Sequence, residues 1–171
     1  MARSISLLQC LVLLAAVSLT GASSTVTATI VSKCSLGVGS MAFGNYDPIV
    51  ANKTAAISTV TGSITISCTK GTAGPTPSVS LSLGANSTHA SGSCATATCT
   101  RAMTDGAGNY LSYDLYTTAG ESTVWNTTNT ITYSSTSFAA HTLTIYGYVP
   151  GGQNVPKAPS YSDSITATVN Y

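Results

Sequence analysis

The sequence predicts an all-β, immunoglobulin-like β-sandwich, on three observations. Period-two alternation of apolar and hydroxyl side chains recurs along the chain, turn-forming clusters separate the alternating stretches, and no segment after the first two dozen residues combines a helical period with caps. Antiparallel strands with one buried and one solvated face produce this text. Short strands at close intervals fit a sandwich better than any mixed architecture. Without the leader described next, the chain is about 150 residues, the size of one domain around a single core.

Residues 1–22 begin with Arg3, run through LLQCLVLLAAVSL and close on small residues, the order of a secretory signal peptide. Cleavage is expected after Ala22 or Ser23. The apolar run is too short for a membrane-spanning helix, and no later run is long and apolar enough. Behind the leader, TVTATIVSK places Val26, Ala28 and Ile30 on one side of an extended chain and Thr25, Thr27 and Thr29 on the other. This is a half-buried strand whose partner the sequence leaves open.

The later strands follow the same rule. SITISC sets Ile64, Ile66 and Cys68 inward, and SVSLSLG sets Val79, Leu81 and Leu83 inward. LSYDLY sets Leu111, Tyr113 and Leu115 against an outward row of Ser112, Asp114 and Tyr116. HTLTIYGYV turns Leu143, Ile145 and Val149 to the core, and YSDSITATVNY does so with Ile165, Ala167, Val169 and Tyr171. Turn clusters fall between them, at Asp47 and Pro48, KGTAGPTP (70–77), DGAGN (105–109) and PGGQNVPKAP (150–159). No repeat or linker divides the chain.

Six basic and five acidic residues make the whole chain nearly neutral, and loss of Arg3 with the leader leaves five of each. Such a surface, rich in Ser and Thr, offers no electrostatic footprint for nucleic acid or anionic membrane. Removing the leader also removes Cys10 and leaves Cys34, Cys68, Cys94 and Cys99, an even number in an exported chain, which favours disulfides. Three pairings are open; the close spacing of Cys94 and Cys99 suggests a local loop, which leaves Cys34 to join Cys68. A metal site built from His89, Cys94 and Cys99 is the competing reading, but an oxidising compartment would consume its thiolates.

Catalytic patterns are missing. The chain has no GxSxG elbow, phosphate-cradling glycine loop or HExxH, and neither His89 nor His141 is placed beside an acid by the sequence. Asp47, Asp105 and Asp114 read as turn-forming or solvated carboxylates rather than a pair for sugar hydrolysis. No catalytic residue, metal or cofactor is expected. Trp125 and the nine tyrosines read as packing, with a carbohydrate-stacking face as the alternative. Asn52, Asn86 and Asn126 begin Asn-x-Ser/Thr triplets, which arise by chance in a chain of this composition.

Several landmarks together resemble the secreted spore coat protein U family, whose members include subunits of archaic chaperone-usher pili. They are Cys34 followed by FGNYDP (43–48), GSITISCTKG (62–71), RAM (101–103), LSYDLYT (111–117), Val124 with Trp125, LTIYGYVPGGQ (143–153) and the terminal YSDSITATVNY. The chain departs from that pattern at Asn126, where a glycine commonly follows the tryptophan, and at Pro156 and Pro159. Read locally, FGNYDP is a structural corner, with Phe43 and Tyr46 as anchors and Asp47 and Pro48 turning the chain.

The resemblance implies a sandwich one strand short, completed by the N-terminal extension of another subunit; chaperone–pilin donor-strand complementation is one of the known modes of strand addition. It divides the chain into a signal peptide (1–22), a donor-strand extension (23–33) with Val26, Ala28 and Ile30 entering the neighbour's groove, and a pilin domain (34–171). Its implied partners are neighbouring subunits, a periplasmic chaperone and an outer-membrane usher, with export through the periplasm to a surface fimbrium or the medium. The implied function is a pilus subunit for surface adhesion and biofilm formation. A secreted spore or cell-surface coat protein is the alternative, and a monomeric carbohydrate-binding module using Trp125 a further one.

Overall fold

The computed structural model describes residues 25–69, 71, 76–134, 136–158 and 160–171. The leader expected over residues 1–22 lies outside the described residues. Residues 1–30 and 31–171 form two separate units. In the first, residues 25–30 carry no regular secondary structure, and Val26, Ala28 and Ile30 are exposed, Val26 by 91% and Ile30 by 84%.

The second unit is an immunoglobulin-like sandwich of eight antiparallel strands among the described residues. They are β1 (Cys34–Val38), β2 (Ile57–Cys68), β3 (Ser78–Leu81), β4 (Arg101–Thr104), β5 (Tyr110–Tyr116), β6 (Ile131–Thr132), β7 (His141–Val149) and β8 (Ala167–Asn170). One sheet has the order β1-β2-β7-β5-β4 and the other β6-β3-β8. The only helical element described is a 3₁₀ turn, Ser87–His89.

Alternation places the core. Ile64 and Ile66 of β2, Leu143, Ile145 and Val149 of β7, and Leu115 of β5 face Val79 and Leu81 of β3. Trp125 locks the two layers together: its backbone N–H donates to the Leu115 carbonyl at 2.8 Å and its indole N–H to the Val79 carbonyl at 2.9 Å. Its side chain is wholly buried, so the carbohydrate-stacking role considered for it does not hold.

A second departure concerns β5. The sequence turns Asp114 and its neighbours to solvent, but Ser112, Asp114 and Tyr116 are buried. The loop before β4 accounts for this: the Ser91 N–H donates to the Ser112 hydroxyl, and the Thr100 N–H to the Asp114 carboxylate. On the same strand Gln153 pairs with the Ser112 backbone through both ends of its amide. A disulfide between Cys94 and Cys99 closes that loop, and a second joins Cys34 to Cys68, the first register pair of the β1–β2 ladder.

Candidate functional site, an open apolar groove

The two sheets are not sealed along their whole length. At one end β1 packs beside β8, each strand being the edge of its sheet. Beyond Val38, where β1 stops, and before Ala167, where β8 starts, the sandwich opens into a groove of about 1080 Å³. Its walls are residues 38–49 and residues 154–158, 160–163, 165 and 167, and its floor includes the core side chains Leu81, Leu111, Tyr113, Leu115, Ile145 and Val149.

Burial shows what the groove lacks. From Tyr161 to Val169 every second residue faces inward, yet Tyr161, Asp163, Ile165, Ala167 and Val169 are only half-buried. Val38 on the opposite wall is 56% exposed, whereas Ile64, Ile66 and Val79 at the centre are fully buried. Apolar side chains aimed at the core are thus left partly wet along this groove. The edges beside them are open as well: among the described residues β1 pairs only with β2 and β8 only with β3. An edge of that kind offers a row of unpaired N–H and C=O groups to any extended chain that fits.

Each wall is held by a polar anchor. On the first, Met41 and Phe43 sit in a dent made by two glycines of the central strands: a Cβ on Gly62 would come within 2.9 Å of Met41, and one on Gly147 within 2.6 Å of Phe43. The Phe43 ring meets Tyr113 edge-on at 5.7 Å. The Tyr46 hydroxyl donates to the Pro150 carbonyl at 3.0 Å and accepts the Gln153 N–H at 2.9 Å. The Asp47 carboxylate accepts the Ile49 and Val50 N–H groups, and with Val50 the larger cause these bonds hold its pKa below the ordinary 3.8. Asn52 is buried, accepting the Asp47 N–H and donating to the Ala55 carbonyl, so its triplet is a structural corner.

The second wall hangs on Asp163. One carboxylate oxygen accepts the Ala85 N–H, the Asn86 side-chain amide and the Ser164 N–H; the other accepts the Tyr113 hydroxyl at 2.8 Å. Burial, reinforced by that bond to Asp163, drives the Tyr113 phenol far above its usual titration range. Tyr113 therefore stays a neutral donor at the groove floor. Gly84 leaves room for the carboxylate, since a Cβ there would overlap Asp163.

Other residues weighed in the sequence lie elsewhere. Cys94, Cys99 and Asp114 do cluster, but the sulfurs are joined in the disulfide and the carboxylate is taken by Arg101 and Thr100. His89 stacks on Tyr110 at 3.9 Å and His141 on Tyr133 at 5.2 Å. Asn86 bonds Asp163, and Asn126 accepts the N–H groups of Thr128 and Asn129 in a turn. Among the described residues, no helix is long and apolar enough to cross a membrane.

The family model for the spore coat protein U domain matches residues 20–168. The chain belongs to the spore coat protein U domain family. It is 31% identical over 144 residues to "Protein U" of Myxococcus xanthus, covering 81% of this chain and 77% of that protein. Its fold resembles a chain in the crystal structure of the CsuC–CsuE chaperone–tip adhesion subunit pre-assembly complex from archaic chaperone-usher Csu pili of Acinetobacter baumannii. That match has a TM-score of 0.50 and 17% identity, covering 84% of this chain and 41% of the other, so this chain spans about two-fifths of its length.

The landmarks of this coat protein U domain therefore take physical roles. FGNYDP lies in the first groove wall, GSITISCTKG and LTIYGYVPGGQ each supply one glycine of the dent, the latter also the Gln153 anchor, and YSDSITATVNY contributes to the second wall. Sequence reading did not find the Asp163–Tyr113 tie. Both residues sit at alternating inward positions, and an acid at an inward position is the signal that marks it.

Proposed function

We propose that this protein is a structural subunit of a pilus or surface coat, assembled by donor-strand exchange, with residues 23–33 of one copy filling the groove of the next. One observation carries the reading: an apolar groove opens into the core between two edges that each pair on one side only. Membership of the coat protein U family and the Csu-like fold support it.

The donor segment fits the chemistry of the groove. Val26, Ala28 and Ile30 alternate along an extended chain and are exposed, while the groove presents half-buried apolar side chains at the same period. Burying a Val or Ile side chain stabilises by about 1.5–3 kcal/mol, and a ladder of backbone hydrogen bonds would satisfy the open edges. Seven residues, 24–30, span about 23 Å as a strand, enough to run along the wall from Tyr161 to Ala167. Because such a contact joins head to tail, it propagates into a filament.

Before assembly the open core needs cover, and a periplasmic chaperone is the proposed partner, with an outer-membrane usher at the exit. Export, surface adhesion and biofilm formation complete the proposal. The match to the spore coat protein U domain supports a secreted coat as a second setting for the same assembly. The near-neutral charge gives nucleic acid no footprint. Deleting residues 23–33 is the direct test: surface polymers should disappear while the domain still folds, and polymers that persist at wild-type length refute donor-strand assembly.

A further inference from the structure

The chain enters β1 at Cys34, and the groove opens at the other end of the strand, Val38. Val38 lines the groove, whereas Cys34, Ser35, Leu36 and Gly37 do not. The root of the tail is held before β1 begins. Thr69, one residue past β2, donates its backbone N–H to the Lys33 carbonyl at 2.8 Å. Its hydroxyl oxygen accepts the Lys33 N–H at 3.0 Å, and its hydrogen faces the carbonyls of Lys33 at 3.2 Å and Val31 at 3.3 Å. Beside this clamp lies the Cys34–Cys68 disulfide. Residues 31–33 thus continue the line of β1 beyond its ladder, away from Val38.

A tail pinned this way is too short for its own groove. To get there it must double back along β1 from Val31 to Val38, seven steps or about 23 Å at strand rise. Residues 24–30 fully extended span about the same distance. Val26, Ala28 and Ile30 would be used up beside β1, before the groove is reached. A second copy imposes no such detour.

We infer that the Thr69 clamp on Lys33 and Val31, set beside the Cys34–Cys68 bridge, is a specificity device that directs the tail into another copy and prevents the subunit from closing on itself. This rests on the donor-strand reading. Thr69 is a positioning residue here: it acts on the direction of the tail and touches nothing in the groove.

The test is chaperone-free refolding of the full mature chain with its disulfides intact, separation of monomer from polymer by size, and limited proteolysis of residues 24–30 read by mass spectrometry. Wild type should give polymers with protected tails and monomers whose tails are cut. An eight-residue Gly/Ser insertion after Ile30 supplies the missing reach. A tethered tail meets its own groove at an effective concentration of about 1 mM, so the polymer fraction at micromolar protein should fall at least about tenfold, with monomer tails now protected. Thr69→Ala should move the same way by a smaller step, and Thr69→Ser should behave as wild type. If insertion leaves polymer yield and monomer cleavage unchanged, or if wild-type monomer already protects its tail, the clamp inference falls while protected polymers keep the donor-strand reading standing. Tails cut in polymer as readily as in monomer overturn both.

Discussion

Arg101 and Asp114 lie 3.4 Å apart with both side chains out of solvent. Burial pulls the Asp114 carboxyl upward and the Arg101 guanidinium downward in pKa, and their contact opposes both shifts. The charges are tolerated because their hydrogen-bonding positions are used: Arg101 donates to the carbonyls of Ser82 and Trp125, and Asp114 accepts from the Thr100 N–H and hydroxyl. Removing one partner strands the other. Arg101→Met is expected to cost about 3–5 kcal/mol in urea-unfolding stability, and the Arg101→Met/Asp114→Leu double variant to recover part of that loss. Asp47 and Asp105 behave in the opposite sense to a buried acid. Bonds from the Val50 and Ile49 N–H groups lower the pKa of Asp47, and bonds from Asn109 and the Ala107 N–H lower that of Asp105. A depressed carboxyl stabilises the fold above its unfolded value of 3.8, and this contribution disappears as pH falls through the lower folded value. The urea midpoint should therefore drop below pH 3.8, and Asp47→Asn with Asp105→Asn should flatten that drop.

At the scale of elements, the glycine dent decides whether the first groove wall can seat. Gly147 faces inward in β7 between Ile145 and Val149, where alternation calls for a large side chain, because Phe43 and Met41 occupy its space. Gly147→Ala forces those side chains aside and is expected to destabilise by about 1–3 kcal/mol, read from the denaturant midpoint. Alternation made three strands legible: the inward rows of β2, β3 and β7 fall where the pattern puts them. It did not mark β1, β4 or β6; β6 has two residues, too few for a period, and β4 opens on the adjacent buried pair Arg101 and Ala102. It misjudged Asp114 because a covering loop, invisible to local pattern, buries the second face of β5. The resemblance implied a groove, but alternation alone did not show it: Ile165 and Val169 alternate just as Ile64 and Ile66 do, and only the fold separates half-buried from buried.

At the scale of the whole molecule, an open core and an exposed apolar tail are two halves of one stability problem. Side chains such as Val38 and Ile165 are partly hydrated, and among the described residues β1 and β8 each pair on one side only. A ligand that binds only the folded groove should raise stability by mass action. A synthetic peptide of residues 24–33, STVTATIVSK, added to the domain of residues 34–171, supplies that ligand without polymerisation. At a hundredfold excess over its dissociation constant the gain is about 2.7 kcal/mol. For a domain of this size that corresponds to a rise in Tm of about 5–15 °C, growing with peptide concentration. The same peptide carrying Val26→Asp and Ile30→Asp has to bury two carboxylates in an apolar slot, so it should give no shift. Equal shifts from both peptides would mean that the apolar row does not recognise the groove, and the donor assignment of Val26, Ala28 and Ile30 would fail with it.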